Sequence, residues 1–228
     1  MDELRAAMER HSVRRYDGRV LEAEAREALE EAIRAANERS GLHIQLVCDE
    51  REAFTGLRAF YGQFRGVANY LAIVGGQGHE AERRAGYEGE RLVLLAQSLG
   101  LNTCWVGGTF SKGKATYARE PHERLIIVVA LGYGTEQGRP HRSRDAAEVA
   151  TASGPVPDWF ADGVACALLA PTAINQQRFH FTLEDAGADG GVGRVRAQAF
   201  FGPFTHVDLG IAMYHFELGA GRESFVWA

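Results

Sequence analysis

The chain has 228 residues, 46% hydrophobic and 24% charged, with a formal net charge of -5. That balance describes one or two ordinary globular domains and excludes a disordered or fibrous chain, while the acidic total argues against a nucleic-acid partner, whose phosphates would be repelled over most of the surface. Cys48, Cys104 and Cys166 are odd in number and sit in apolar segments, so they read as buried thiols of a reducing compartment, not as a disulfide frame or a metal site. No apolar run approaches a membrane span and the first residues are too charged for a signal peptide, which leads to the expectation of a cytoplasmic protein.

In chain order, residues 3–11 are predicted helical, with Asp2 as a cap and Leu4, Ala7, Met8 and His11 at helical spacing. A second helix follows over 22–39, a strand over 43–48 and a short helix near 52–61. The continuous apolar run Tyr70–Val74 ends at Gly75-Gly76 and reads as a buried strand. Residues 79–99 form a long helix stopped by Gly100. Leu125–Leu131 is the clearest strand, unalternated and therefore expected in the middle of a sheet. Residues 132–157, rich in Gly, Pro and basic residues, read as a connection without elements of their own. Beyond it come a helix (158–170), a strand (179–183), a glycine-rich turn (187–193), a strand (194–200), a helix (208–219) and an aromatic tail.

The later part resembles the earlier one. Sliding residues 22–47 onto 159–184 aligns helix on helix and strand on strand, with His43 on His180 and Leu46 on Leu183. Residues 89–106 fall on 210–227, with Gly89 on Gly210 and Gly100 on Gly221. The order of elements, more than the few identities, suggests two related halves in one chain, a first over 1–150 and a shorter second over 158–228.

Four stretches have the chemistry of a ligand site. Arg10, His11, Ser12 and Arg14 concentrate positive charge on an acidic chain, and in an extended segment Arg10, Ser12 and Arg14 project to one side, where they suit a small anion such as a phosphate. A solvated, Arg-rich helix end accounts for the same run. Pro171-Thr172-Ala173-Ile174-Asn175-Gln176-Gln177 stands between a helix and a strand. Its carboxamides at Asn175 and Gln177 offer donors and acceptors to a pyrimidine-like edge, or cap their neighbours. Trp105-Val106-Gly107-Gly108 lets the backbone approach a flat ligand or makes a turn. Arg142 and Arg144 repeat the spacing of Arg10, Ser12 and Arg14. The glycines from Gly132 onward do not meet the dinucleotide-binding fingerprint, the histidines and cysteines have no metal-ligand spacing, and no acid, base or nucleophile stands out as catalytic.

Together these stretches resemble the nitroreductase family of flavin mononucleotide (FMN) enzymes. Arg10–Tyr16 resembles its N-terminal phosphate and ribityl motif, and Pro171–Phe179 its Pro-Ser-Ser-x-Asn-x-Gln-Pro-Trp motif, with Arg178 and Phe179 departing from Pro and Trp. Leu101–Gly108 resembles the loop along the flavin ring, and Arg142 with Arg144 the basic pair near the phosphate. The second motif lies about 160 residues after the first, as in the fused branch of the family, in which one chain imitates the homodimer.

The resemblance implies an α+β (α/β/α) nitroreductase-like fold and one FMN between the halves. It implies that Arg10, Ser12, Arg142 and Arg144 hold the phosphate and that Arg14 lies near the ribityl chain. Pro171, Thr172, Ala173, Asn175 and Gln177 meet the ring on one side, and Trp105, Val106, Gly107 and Gly108 on the other, with His11 beside the phosphate. It further implies transfer of a hydride from NAD(P)H through the flavin to a nitroaromatic, quinone or similar acceptor. A non-enzymatic FMN-binding protein and a specialised reductase or dehalogenase are the alternatives. A monomer fits a fused chain, and a further homodimer stays open.

Overall fold

The structure, a computed structural model, describes residues 2–187 and 191–228. Helix α1 (Glu3–Glu9) is capped by Asp2, whose carboxylate accepts from the Arg5 N–H. Helix α2 (Ala23–Ser40) and strand β1 (His43–Val47) follow as the periodicity predicts. The helix expected near 52–61 is two pieces, a 3-10 turn (Glu52–Phe54) and α3 (Leu57–Tyr61), because Gly56 between them adopts φ 82°.

Strand β2 (Asn69–Gly75) and β4 (Arg124–Gly132) are interior to an antiparallel sheet of order β1-β2-β4-β3. Their runs do not alternate because both faces are covered. Leu71, Ile73, Ile127 and Val129 join the main core, whereas Tyr70, Ala72, Val74 and Val128 join a second cluster with Val13, Phe54 and Phe64 on the opposite face. Strand β3 (Asn102–Val106) was hidden in the sequence by its flanking glycines, which made the whole stretch read as a loop.

The segment 132–157 is not structureless either. Helix α5 (Ala146–Val149) is closed by the Glu148 carboxylate, which accepts from the Asp145 N–H, and strand β5 (Ala150–Ala152) pairs parallel with β6 (Phe179–Asp185). A second sheet therefore runs β5-β6-β7-β8, with β7 at Gly193–Ala199 and the aromatic tail serving as β8, Phe225–Trp227. The predicted boundary at residue 150 falls inside β5. Part of the glycine-rich turn, residues 188–190, lies outside the described residues.

Helix α4 (His79–Ser98) packs on the first sheet, and α7 (Thr205–Ala220) on the second together with α6 (Asp158–Ala167). Helices α4 and α7 pack on each other. Twelve of the sixteen residues of α7 are buried and none is exposed, as expected of a helix apolar on most sides. One core runs from Ile73 and Val129 through Leu92 and Ile211 to Phe181 and Val195, so the two sheets do not have separate interiors. No described helix is long and apolar enough to cross a membrane.

The crossing of α4 and α7 depends on glycine. A Cβ at Gly86 would collide with the Val207 carbonyl, and one at Gly210 with the Arg83 carbonyl. Alanine would gain about 0.5–1 kcal/mol of helix propensity at either position, so only the close approach accounts for glycine there. Gly210→Ala should lower stability by about 1–3 kcal/mol. For a chain of this size that is a fall in Tm of roughly 3–10 °C, measurable by calorimetry. Gly113→Ala, which meets nothing within 4 Å, should leave Tm unchanged; equal effects at the two positions would contradict the packing argument.

Candidate functional site

After α1 the chain is extended and laid into the first sheet's edge. The Val13 N–H donates to the Thr103 carbonyl at 3.0 Å, Tyr16 N–H to Arg65 at 2.9 Å, and Thr135 N–H to Arg15 at 2.9 Å. Ser12 pairs with Thr103 as a parallel bridge. Val13 points into the second core cluster, which turns its neighbours Ser12 and Arg14 toward a cavity on the other side; Tyr16 joins the same cluster once the alternation ends at Arg15. Gly138, at φ 71°, lets the following loop lie against this segment, since a Cβ there would come within 2.8 Å of the His11 Cβ. That contact carries Glu136 and Arg139 to the cavity wall.

The amide loop faces the same cavity. It is strained: Ile174, Asn175 and Gln177 have φ of 47°, 55° and 45°. Left-handed backbone costs of order 1–3 kcal/mol for such residues and persists only where the surroundings impose it. Here Asp208 imposes it, accepting from the Ala173 N–H at 3.0 Å and from Gln176 Nε2 at 2.7 Å, while the Gln177 N–H donates to Thr172 Oγ1 at 3.0 Å. Gln63 and Phe204, at φ 60° and 58°, are strained residues on the walls of the same cleft.

The cleft has two compartments that share Ser12, Arg14, Gln63, Pro171, Thr172 and Ile174. One, of about 710 Å³, is basic: Arg10, Arg14, Arg15 and Arg139 line it, against Glu136, which lies 3.8 Å from Arg15. His141 also lines it, but burial lowers its pKa, helped by the nearby Arg10, and its Nε2 lies 3.0 Å from the Leu168 carbonyl. The standing charge there is therefore arginine. The other compartment, of about 540 Å³, is walled by Trp105, Val106, Ile127, Phe204, Val207 and Ile211. The Phe204 ring covers Gly107, whereas a Cβ at Gly108 would meet nothing within 4 Å.

Of the residues singled out in the sequence, Arg10, His11, Ser12, Arg14, Pro171, Thr172 and Asn175 line the basic compartment. Trp105, Val106, Gly107, Gly108 and Ala173 line the apolar one. Three are not brought to the wall. Arg142 and Arg144 are exposed and outside the cleft lining. Gln177 is buried and spent on the protein itself: its Oε1 accepts from the Arg144 N–H at 2.8 Å, and its Nε2 donates to the Arg142 carbonyl and to Asn175 Oδ1, both at 2.9 Å. The backbone of 142–144, not its charge, is what the amide loop grips.

Arg178, which departs from the family motif, turns away and donates to the Phe201 carbonyl at 2.5 Å. Arg15, Gln63, Arg139, Phe204 and Asp208 went unread in the sequence. The basic character of 139–144 was visible, but which of its members face inward depends on Gly138.

A family described as "Putative TM nitroreductase" matches residues 3–220. A "putative nitroreductase" from Thermotoga maritima has the same fold with a TM-score of 0.66 at 19% identity, over 97% of this chain and 85% of that one. Another of that description, from Desulfovibrio desulfuricans and solved in complex with FMN, gives a TM-score of 0.51 at 20% identity, over 69% of this chain and 99% of that one. No curated protein matches.

Asp208 supplies a pH test of how the amide loop is held. Burial outweighs its hydrogen bonds and raises its pKa from 3.8 to about 6. Because the folded state retains the proton longer than the unfolded one, this group's contribution is full below about pH 4 and is lost as pH rises through 6, by on the order of 2–3 kcal/mol. Asp208→Asn cannot ionise and should lack that loss when urea unfolding is compared at pH 4.5 and 7. Identical pH profiles for the two proteins would contradict the assignment.

Proposed function

This chain belongs to the TM nitroreductase family, and on that premise we propose that it is an FMN-dependent oxidoreductase that passes reducing equivalents from NAD(P)H to a small conjugated acceptor such as a nitroaromatic or a quinone. The observation that carries the reading is one cleft with chemically opposite ends, cationic at Arg10, Arg14 and Arg139 and apolar at Trp105, Phe204 and Ile211. A phosphorylated flavin has that same division.

The residues fit the group. Arg10 is buried at the basic wall, its Nε and Nη1 inaccessible and without any hydrogen-bond partner, so its charge is left to attract an anion in the cavity. Arg10, Ser12 and Arg139 would hold the phosphate, with Arg14 at the junction of the two compartments. Pro171, Thr172 and Ala173 would face Trp105 to Gly108 across the ring. Bound FMN would supply the redox chemistry, accepting a hydride from one substrate and reducing the next. The chain's own contribution is binding, orientation and exclusion of water. Burial pushes the Cys104 thiol up, away from thiolate chemistry, and both oxygens of Asp208 are occupied by the amide loop. An arginine at the junction would stabilise negative charge developing on the ring.

We read the two halves as related, with one site per chain. The order helix–strand–strand–helix–strand occurs as α2, β1, β2, α4, β3 and again as α6, β6, β7, α7, β8. Residues 34–40, the counterpart of the amide loop, are instead the end of α2, which leaves nothing to build a second site.

The purified full chain should be yellow with about one FMN per chain and should oxidise NAD(P)H when a quinone is supplied. Arg14→Met should weaken FMN binding about 10- to 100-fold, the range for losing a charge-assisted contact. A chain that stays colourless after incubation with FMN, or that takes up two, would overturn the proposal. Bound flavin that NAD(P)H never reduces would favour a non-enzymatic flavoprotein.

A further inference from the structure

Beneath the cleft lies a buried cluster that the proposed chemistry does not use. Glu90, on α4, is wholly inaccessible. Its Oε2 accepts from Trp105 Nε1 at 2.8 Å, and its Oε1 lies 2.9 Å from Nε2 of His215, on α7, which is equally buried. The other ring nitrogen of His215 is 3.3 Å from the Cys166 carbonyl. Arg10 Nε approaches the same Oε1 only to 3.8 Å, with both side chains almost completely buried. The carboxylate thus touches a residue at each end of the cleft: Arg10 of the basic compartment and Trp105 of the apolar one.

The pairing with Arg10 is incomplete in a specific way. It balances charge but provides no hydrogen bond of ordinary length, and Arg10 Nε and Nη1 have no other partner. A buried guanidinium normally satisfies its donors, because each unmade bond costs desolvation that nothing returns. Glu90 is already engaged by Trp105 and His215 and is fixed where α4 and α7 cross, so it cannot come closer. Arg10 is held by charge alone, against a cavity built for an anion.

We propose that Glu90 is a positioning residue that sets anion affinity in the cleft, holding Arg10 back by its charge while anchoring Trp105 on the other side. An anion at the basic wall competes with Glu90 for the guanidinium, so the carboxylate lowers affinity there in exchange for keeping a buried cation balanced when the site is empty of anions. This rests on reading the basic compartment as a phosphate site.

The test is calorimetric titration of the flavin-free full chain with inorganic phosphate. Glu90→Gln keeps an oxygen for Trp105 and removes the charge, and should bind phosphate about tenfold tighter than the unaltered chain, within the usual range of coupling between sites. Unchanged or weaker binding in Glu90→Gln overturns the proposal, as does the absence of phosphate binding in both proteins. If Glu90→Gln fails to fold, the double variant Arg10→Gln with Glu90→Gln decides. It should fold, because no unbalanced buried charge remains; a double variant equally unable to fold would show that Glu90 serves Trp105 and His215 alone. FMN titration of the unaltered chain separates the two readings. Phosphate binding without FMN binding defeats the proposed function and spares this inference, while FMN binding with no change in phosphate affinity in Glu90→Gln does the reverse.

Discussion

The close crossing of α4 and α7 is the constraint on which the remaining structure depends. Gly86 and Gly210 remove the side chains that would hold the helices apart, so backbone meets backbone across the middle of the molecule. Each helix then delivers residues to the same cleft from opposite sheets. Helix α4 brings Glu90 under Arg10 and Trp105, and α7 brings Val207, Asp208 and Ile211 to the apolar wall and to the amide loop. An extra methyl at either glycine would separate the basic segment of the first half from the loop of the second. Local helix propensity is given up there for tertiary approach.

Strain and hydrogen bonding divide the work around the cleft. Gln63, Ile174, Asn175 and Phe204 line it in left-handed conformations, and Gln177 supports it in another. Such backbone would relax if left alone. Asp208 and Gln176 tie the amide loop to the turn before α7, where Gln176 Nε2 also reaches the Pro203 carbonyl at 2.7 Å, and Gln177 ties it to the backbone of 142–144. Polar side chains at the cleft thus split into those that face it and those consumed in shaping it. The second group rigidifies the walls without offering them further hydrogen-bonding capacity.

That division explains what could be read in the sequence. The run from Ser12 to Arg14 was legible because alternation in an extended chain sends neighbours to opposite sides, and Val13 buried between Ser12 and Arg14 obeys it, whereas His11 lines the same compartment as Arg10 and Ser12. Gly107 was legible as a backbone that another group approaches, here the Phe204 ring, although the strand leading into it was not, since Asn102–Val106 is too short for its period to outweigh the glycines beside it. Arg142, Arg144 and Gln177 lie outside the cleft lining for a reason the sequence does not carry: spacing reveals that a loop is polar or basic, but not whether its side chains face a cavity or its own backbone. Glu90 and Asp208 could not be found at all. Each is an ordinary acid in a helix until packing buries it beside residues of other elements, Gln176 for Asp208 and Trp105 and His215 for Glu90. Strand β5 was lost similarly, because three residues become a strand only when β6 lies beside them.

At the centre of this account is a single cleft closed from one side by the N-terminal segment and from the other by the loop at 171–177. The most direct measurement is a crystal structure of the full chain grown with FMN. One flavin should bind per chain, with its phosphate among Arg10, Ser12 and Arg139 and its ring between Thr172 and Trp105. A flavin bound elsewhere, or in contact with only one of the two segments, would contradict it.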